Sequence, residues 1–311
     1  MWRPLLSVWF LTMLPALALA AVPVATVTIL DGDAPTVIRE ASKLMLAEGV
    51  RLYAEDIVDA GAKTRLLRIE FSDGVILDIG PSTQLLLAPR LAGERGKRPV
   101  KAYMLQGFAK LTAPKGATAA ATLTSPAFDA GGLSRDVVLL VQPDESYAFA
   151  ESGDVTLLER GIGKDAGKEV GNHRLKSGEF YARTGDNRAA VGARPAQSFI
   201  QRLPRAFLDT LPSRAELYKA REVEPKPLGN IVYAEAQPWV DAEAALRPGF
   251  VTRWKAYAAR NPEFRKGLVA QMPAHMEWDR TLFPEKYLPK PVASGPSAPL
   301  VVLPPPVKPL R

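Results

Sequence analysis

The sequence predicts a mainly β protein: a β-sandwich or barrel module, a smaller α-helical C-terminal domain, and a disordered proline-rich tail. Three observations lead there. From Val24 to Ala193 short apolar runs alternate with polar residues and are broken by Gly, Pro, Asn and Asp, the pattern of half-buried strands joined by turns. After Ala193 the aromatic residues recur at helical spacing. From residue 289 the chain reads PKPVASGPSAPLVVLPPPVKPLR, too rich in proline to bury a core. The expected limits are therefore 24–193 for the β module, 194–288 for the helices and 289–311 for the tail.

Ahead of them stand Met1, Trp2 and Arg3, an apolar run from Leu5 to Ala20, and the exit Ala18-Leu19-Ala20. A charged start, an apolar centre and an Ala-x-Ala exit predict a signal peptide over 1–20, cleaved after Ala20. The run is short for a membrane span and contains Pro15, so no transmembrane segment is expected once it is removed. The chain has no cysteine, which excludes disulfides, a lipid-modified cysteine anchor and thiolate metal sites. Forty Lys and Arg against 33 Asp and Glu give a net charge of +7. The surplus favours acidic partners, but no block of five or six basic residues occurs, and nucleic acid is not expected for an exported chain.

Within the β module, Pro35 to Leu46 carries a helical turn in this reading. The next signal is the hairpin around Ser72-Asp73-Gly74. Leu67, Ile69 and Phe71 alternate with Arg68 and Glu70, and Val75, Leu77 and Ile79 alternate with Ile76 and Asp78. A two-residue loop would mix the faces. A three-residue loop pairs Phe71 with Val75, Ile69 with Leu77 and Leu67 with Ile79, placing all six apolar side chains on one face, with Gly74 at the left-handed position. Gly49, Gly61 and Gly80-Pro81 read as turns of the flanking strands. Further strands are expected over 101–111, 137–141, 146–150, 155–158 and 174–183. Gly107 and Gly178 each interrupt a strand that then resumes, as where strands turn a corner. Gly161 to Gly171, with four glycines and mixed charge, reads as an exposed loop.

In the C-terminal part, Phe250, Trp254 and Tyr257 share one helix face. Asn261-Pro262-Glu263 then starts a second helix, with Asn as the cap and Pro in the first turn. Phe264 and Leu268 continue the stripe, and Trp278, Leu282 and Phe283 predict a last short helix.

The order Gly49, Asp56, Ala60-Gly61, an apolar strand, Phe71-Ser72-Asp73-Gly74, Leu77, Pro81-Ser82-Thr83 and Leu85 resembles the FecR domain family, and Leu105-Gln106-Gly107 resembles a later strand of that family. The family's Val-Arg-Gly-Thr step has only a distant counterpart here, Phe128 to Leu133. The resemblance spans about 26–184 and is strongest over 49–111. It implies an exported, periplasmic β module concerned with protein contacts in the bacterial envelope, without the cytoplasmic and transmembrane segments of the sigma-factor regulators. It also implies that Gly49, Asp56, Gly61, Asp73, Gly74 and Pro81 are structural turns.

The two histidines, His173 and His275, stand a hundred residues apart, and no clustered ligand set, Gly-x-Ser-x-Gly elbow, phosphate loop or dinucleotide fingerprint occurs. The adjacent acids Asp31/Asp33, Glu55/Asp56 and Asp144/Glu145 sit beside turn signals. The expectation is a non-enzymatic binding or scaffolding protein without cofactor or metal, whose partner is an envelope protein. The first alternative is binding of peptidoglycan or another acidic wall polymer, with Tyr103 and Trp239 as the binding surface among exposed Lys and Arg. The second is a glycan-cleaving enzyme using those acid pairs.

Overall fold

The computed structural model describes residues 22–93, 99–114, 116, 122–185 and 187–288. The expected signal peptide and proline-rich tail lie outside the described residues. The first strands are β1 (Ala25–Gly32), β2 (Thr36–Arg39), β3 (Ser42–Met45), β4 (Arg51–Leu52), β5 (Ile57–Ala60), β6 (Thr64–Phe71), β7 (Ile76–Ile79), β8 (Thr83–Leu87) and β9 (Ala102–Thr112). They are followed by β10 (Leu123–Thr124), β11 (Phe128–Gly131), β12 (Asp136–Gln142), β13 (Glu145–Ser152), β14 (Val155–Arg160), β15 (Glu169–Leu175), β16 (Phe180–Thr184) and β17 (Ala190–Gly192). Helix α1 (Gln197–Arg202), strand β18 (Lys226–Asn230), and helices α2 (Tyr233–Val240), α3 (Arg247–Arg260), α4 (Pro262–Ala270) and α5 (Asp279–Leu282) complete the described chain. The protein is mainly β with a small helical region at its C-terminal side, as the sequence predicts.

The strands form two facing sheets. Sheet A runs β4-β1-β6-β7-β9-β12-β13-β16-β17, antiparallel throughout. Sheet B runs β18-β3-β2-β5-β8-β9-β10-β11-β14-β15, with one parallel pair, β9 and β10. Strand β9 belongs to both. Its first half pairs with β8, and its second half with β7 and β12. The change of sheet occurs at Gly107, whose φ is +111°. A Cβ there would lie 2.3 Å from Thr83 Oγ1 and 2.4 Å from Thr83 Cα, so only glycine passes this corner. Thr83 closes it by accepting the Phe108 amide at 3.0 Å, with Gly80 O 2.9 Å away. Gly178, at φ +88°, marks the second predicted corner, between β15 in sheet B and β16 in sheet A.

The hairpin register is the predicted one. Leu67 pairs with Ile79 and Ile69 with Leu77, the Phe71 amide donates to Val75 O at 2.9 Å, and Gly74 has φ +83°. All six apolar side chains enter the core between the sheets. Removing each such side chain from water contributes roughly 1.5–3 kcal/mol.

Two further apolar layers lie outside the sandwich. Over sheet A, Phe199 and Phe207 pack on Leu66, Phe108, Leu140, Tyr147 and Phe180. They belong to a strap over residues 197–218 that crosses the sheet from β13 to β1. Over sheet B, α2 to α5 bury Trp239, Phe250, Trp254, Phe264 and Trp278 against Ile38, Ile57, Leu86 and Tyr103. Asn261 caps α4 by accepting the Phe264 amide at 2.9 Å, as the sequence predicts. Residues 194–230, grouped by sequence with the helices, lie on the sheets, and β18 extends sheet B beyond β3.

Two local expectations are corrected. Pro35 to Leu46 holds no helical turn but the β2–β3 hairpin. Val37 faces the core and Ile38 the helices, so the strand is apolar on both sides and its period of two is hidden. Gly161 to Gly171 is not all loop, because β15 begins at Glu169 and pairs with β14.

Candidate functional site

The six residues expected as turns, Gly49, Asp56, Gly61, Asp73, Gly74 and Pro81, are dispersed over the β module. Gly49 lies under the end of the strap, where a Cβ would stand 2.8 Å from Val223 Cγ2. Asp56, 1% exposed, accepts the Tyr53 amide at 2.9 Å and two hydrogen bonds from Arg39 at 3.0 and 2.8 Å. That pair holds β2 against the turn before β5. Burial disfavours the Arg39 charge, but the Asp56 carboxylate outweighs it and holds the guanidinium above its ordinary value. Gly61 O accepts the Thr64 and Ser82 amides. Asp73 pairs with Lys101, Gly74 closes the hairpin, and Pro81 leads into the Thr83 corner.

Tyr103 and Trp239 do not form a binding surface. They are 0% and 1% exposed, and their rings meet at 6.5 Å between sheet B and α2. Helices dock on the face of β9 that a sandwich alone would leave open, so both aromatics became core. The acid pairs are likewise engaged locally: Asp31 with Arg65, Asp56 with Arg39, and Glu145 with Arg202 and Tyr147. His173 bonds Glu159 at 2.9 Å, and His275 lies between Asp241 at 2.6 Å and Glu277 at 3.3 Å. The Tyr181 hydroxyl beside His173 is driven up by burial and by the nearby Glu159 charge. Among the described residues no group of three or more His, Cys, Asp or Glu could hold a metal.

What the fold leaves open is a strand edge. Among the described residues the two sheets have four edge strands. β4 has two residues and β17 three. β18 contains Pro227 and is irregular between Pro227 and Gly229, features that spoil an edge for further pairing. β15 has seven residues and no proline, its one described neighbour is β14, and its pairing is regular from Gly171 to Leu175 after a bulge at Val170. Val170 on it is 53% exposed.

Beside this edge, on the outer face of sheet B, the helices cover the β2–β5–β8 side and stop short of β14 and β15. Among the described residues this part forms a groove of about 1390 Å³. Its floor includes Thr124, Gly131, Leu158, Arg160 and Asn172, and its walls are 166–169 and 243–247. Arg160 is 8% exposed and ion-paired with Asp129. Its Nη1 reaches Gly167 O at 3.4 Å and its Nε, buried, has no hydrogen-bond partner. The sequence concealed this region because the glycines and mixed charges of 161–171 mimic a loop. The one local signal was Val170 and His173 extending a strand-like run into Arg174 and Leu175.

No family model and no curated protein matches the chain. Two crystal structures of a "putative anti-sigma factor" from Parabacteroides distasonis are similar to it at 11% and 12% identity, with TM-scores of 0.35. Each match covers 46% of this chain and 62% of the other, so it spans less than two thirds of those proteins. At that distance the likeness assigns no role.

Proposed function

We propose that the protein is a non-enzymatic binding module of the bacterial envelope, exported and FecR-like, that takes up an extended segment of a partner protein along β15. The observation that carries this reading is the contrast among the edges: β15, with seven residues, no proline and one bulge at Val170, beside two edges of two and three residues and one that contains proline. An unpaired strand presents a row of N–H and C=O groups, and a partner strand satisfies them while its alternate side chains confer specificity. The signal-like N-terminal sequence supports an envelope location, and the turn motifs of residues 49–111 support the FecR-like character.

The test is site-specific photo-crosslinking in cells producing the full chain. A photoreactive residue at Val170 on β15 is compared with one at Leu228 on β18, similarly exposed at 53% and 48%. The reading requires an adduct at 170 and not at 228, mapping by mass spectrometry to one short contiguous stretch of a partner. No adduct at 170, or the same adducts at both positions, would reject it.

A further inference from the structure

We propose that the outward face of the strap is a docking surface for an anionic lipid bilayer. The strap lies over sheet A, apart from the β15 edge in sheet B, and the inference stands independently of the reading above.

Apolar exposure comes first. Five of the fourteen large hydrophobic side chains exposed among the described residues fall between 191 and 217: Val191, Ile200, Leu208, Leu211 and Leu217. A single exposed leucine is ordinary, but three of these stand next to a buried aromatic: Ile200 beside Phe199, Leu208 beside Phe207 and Leu217 beside Tyr218. The aromatics anchor the strap, and their aliphatic neighbours turn to solvent, with Leu208 and Leu217 65% and 64% exposed. The backbone that displays them is fixed. Phe207 O accepts from Lys110, Leu211 O and Pro212 O from Arg68, and Tyr218 O from Arg51. A stripe already held in place loses little conformational freedom when it binds.

Charge decides what covers the stripe. From Val191 to Val223, where the chain bridges to Val50, there are six Arg and Lys against three Asp and Glu. Arg202 and Arg214 pair with Glu145 and Glu48 of the β module, and Lys219 pairs with Glu216. Arg194, Arg205 and Arg221 are exposed and have no ion pair among the described residues. They alternate with the aliphatic side chains: Arg194 falls between Val191 and Ile200, Arg205 between Ile200 and Leu208, and Arg221 after Leu217. At a bilayer surface aliphatic side chains enter the acyl boundary while arginines stay at the phosphates, and each cation near an anionic leaflet adds attraction. A protein partner is the weaker fit, because protein interfaces concentrate binding in aromatic anchors and the strap's three aromatics are buried.

The chain contains no cysteine, so one introduced thiol can carry an environment-sensitive fluorophore at a chosen position. Leu208→Cys on the strap is compared with Met276→Cys between α4 and α5, both positions being 65% exposed. The purified full chain is titrated with vesicles of phosphatidylethanolamine and phosphatidylglycerol, and with vesicles of phosphatidylcholine alone. The label at 208 should shift to shorter wavelength on the anionic vesicles only, and the label at 276 should not respond. Leu217→Ser, or the triple change Arg194→Gln, Arg205→Gln and Arg221→Gln, should each raise the lipid concentration needed about tenfold; unchanged thermal melting verifies that these variants are folded. The apolar run from Leu5 to Ala20 is common to all of them and cannot produce the difference. No shift at 208, equal shifts at 208 and 276, an equal response to phosphatidylcholine, or indifference to either set of substitutions would each overturn the inference. A shift at 208 that grows with protein concentration in the absence of lipid would also overturn it, by giving the stripe to a second copy of the chain.

Discussion

Arg68 and Asp78 face one another across β6 and β7 and join through two hydrogen bonds of 2.7 and 2.8 Å on the outer face of sheet A. Lys110 stands beside them in register on β9. These charges hold the strap by its backbone. Arg68 donates to Leu211 O and Pro212 O, Lys110 to Phe207 O, and Glu70 accepts the amides of Arg214 and Ala215. Sequence alternation marked this face as polar, and the strap made it interior.

The first prediction concerns that pair. Both side chains are about 95% buried, so Arg68→Met leaves Asp78 unpaired and should cost about 3–5 kcal/mol. Adding Asp78→Leu should restore part of the loss, because it removes the unpaired buried charge while Leu211 O and Pro212 O stay without their donor. Urea unfolding of the three variants checks both statements. A double variant no more stable than the single one would show that the strap depends on the charges themselves.

The second prediction grades the glycines. Gly107→Ala should cost about 3 kcal/mol or more, since its Cβ meets the Thr83 backbone in a left-handed conformation. Gly74→Ala should cost about 1–2 kcal/mol, for its positive φ and for a Cβ that would stand 3.2 Å from Pro114 Cγ. Gly61→Ala meets nothing within 4 Å and should stay within about 0.5 kcal/mol. Thermal melting of the series would contradict the corner role of Gly107 if it ranked with Gly61.

These contrasts explain how much was legible. The hairpin could be read in full because one face is core and its register follows from six side chains. Gly107 and Gly178 were recognised as corners for the same reason: strand signals continue on both sides of each. Strands covered on both faces were opaque. Ile38, Ile57 and Leu86 point at helices while Val37, Val58 and Leu85 point at the core, so alternation vanishes. Tyr103 was misassigned because nothing in the local sequence of β9 records that α2 lies over it. The groove and the β15 edge were missed because both are defined by where other elements stop.

The third prediction follows from Trp239. Its indole is 1% exposed between Tyr103 and Phe250, so Trp239→Ala should cost about 3–5 kcal/mol through the cavity it leaves. The same loss of stability should appear with or without wall polymer. A variant of unchanged stability that no longer sediments with cell-wall sacculi would restore Trp239 as a surface residue.

The fourth prediction is a pH dependence of the strap's first turn. The Arg202 guanidinium bonds the Glu145 carboxylate and holds it below its ordinary value; desolvation opposes this, and the Tyr147 hydroxyl at 2.9 Å assists. A depressed carboxylate stabilises the folded contact above its unfolded pKa, near 4.3, and that contribution disappears as pH falls through the lower folded value. The Glu145 side chain is half-buried and its partner Arg202 is exposed at the edge of the strap, so solvent screens the pair and the effect should be local rather than global. Amide exchange over residues 197–208, corrected for the intrinsic pH dependence of exchange, should therefore accelerate as pH drops from neutrality to below the carboxylate range, while the protection of β6 and β12 stays constant. In Arg202→Ala the carboxylate loses its cation, and the segment should exchange faster at neutral pH and respond much less to acid. An acid response of equal size in that variant would assign the effect to groups other than Glu145.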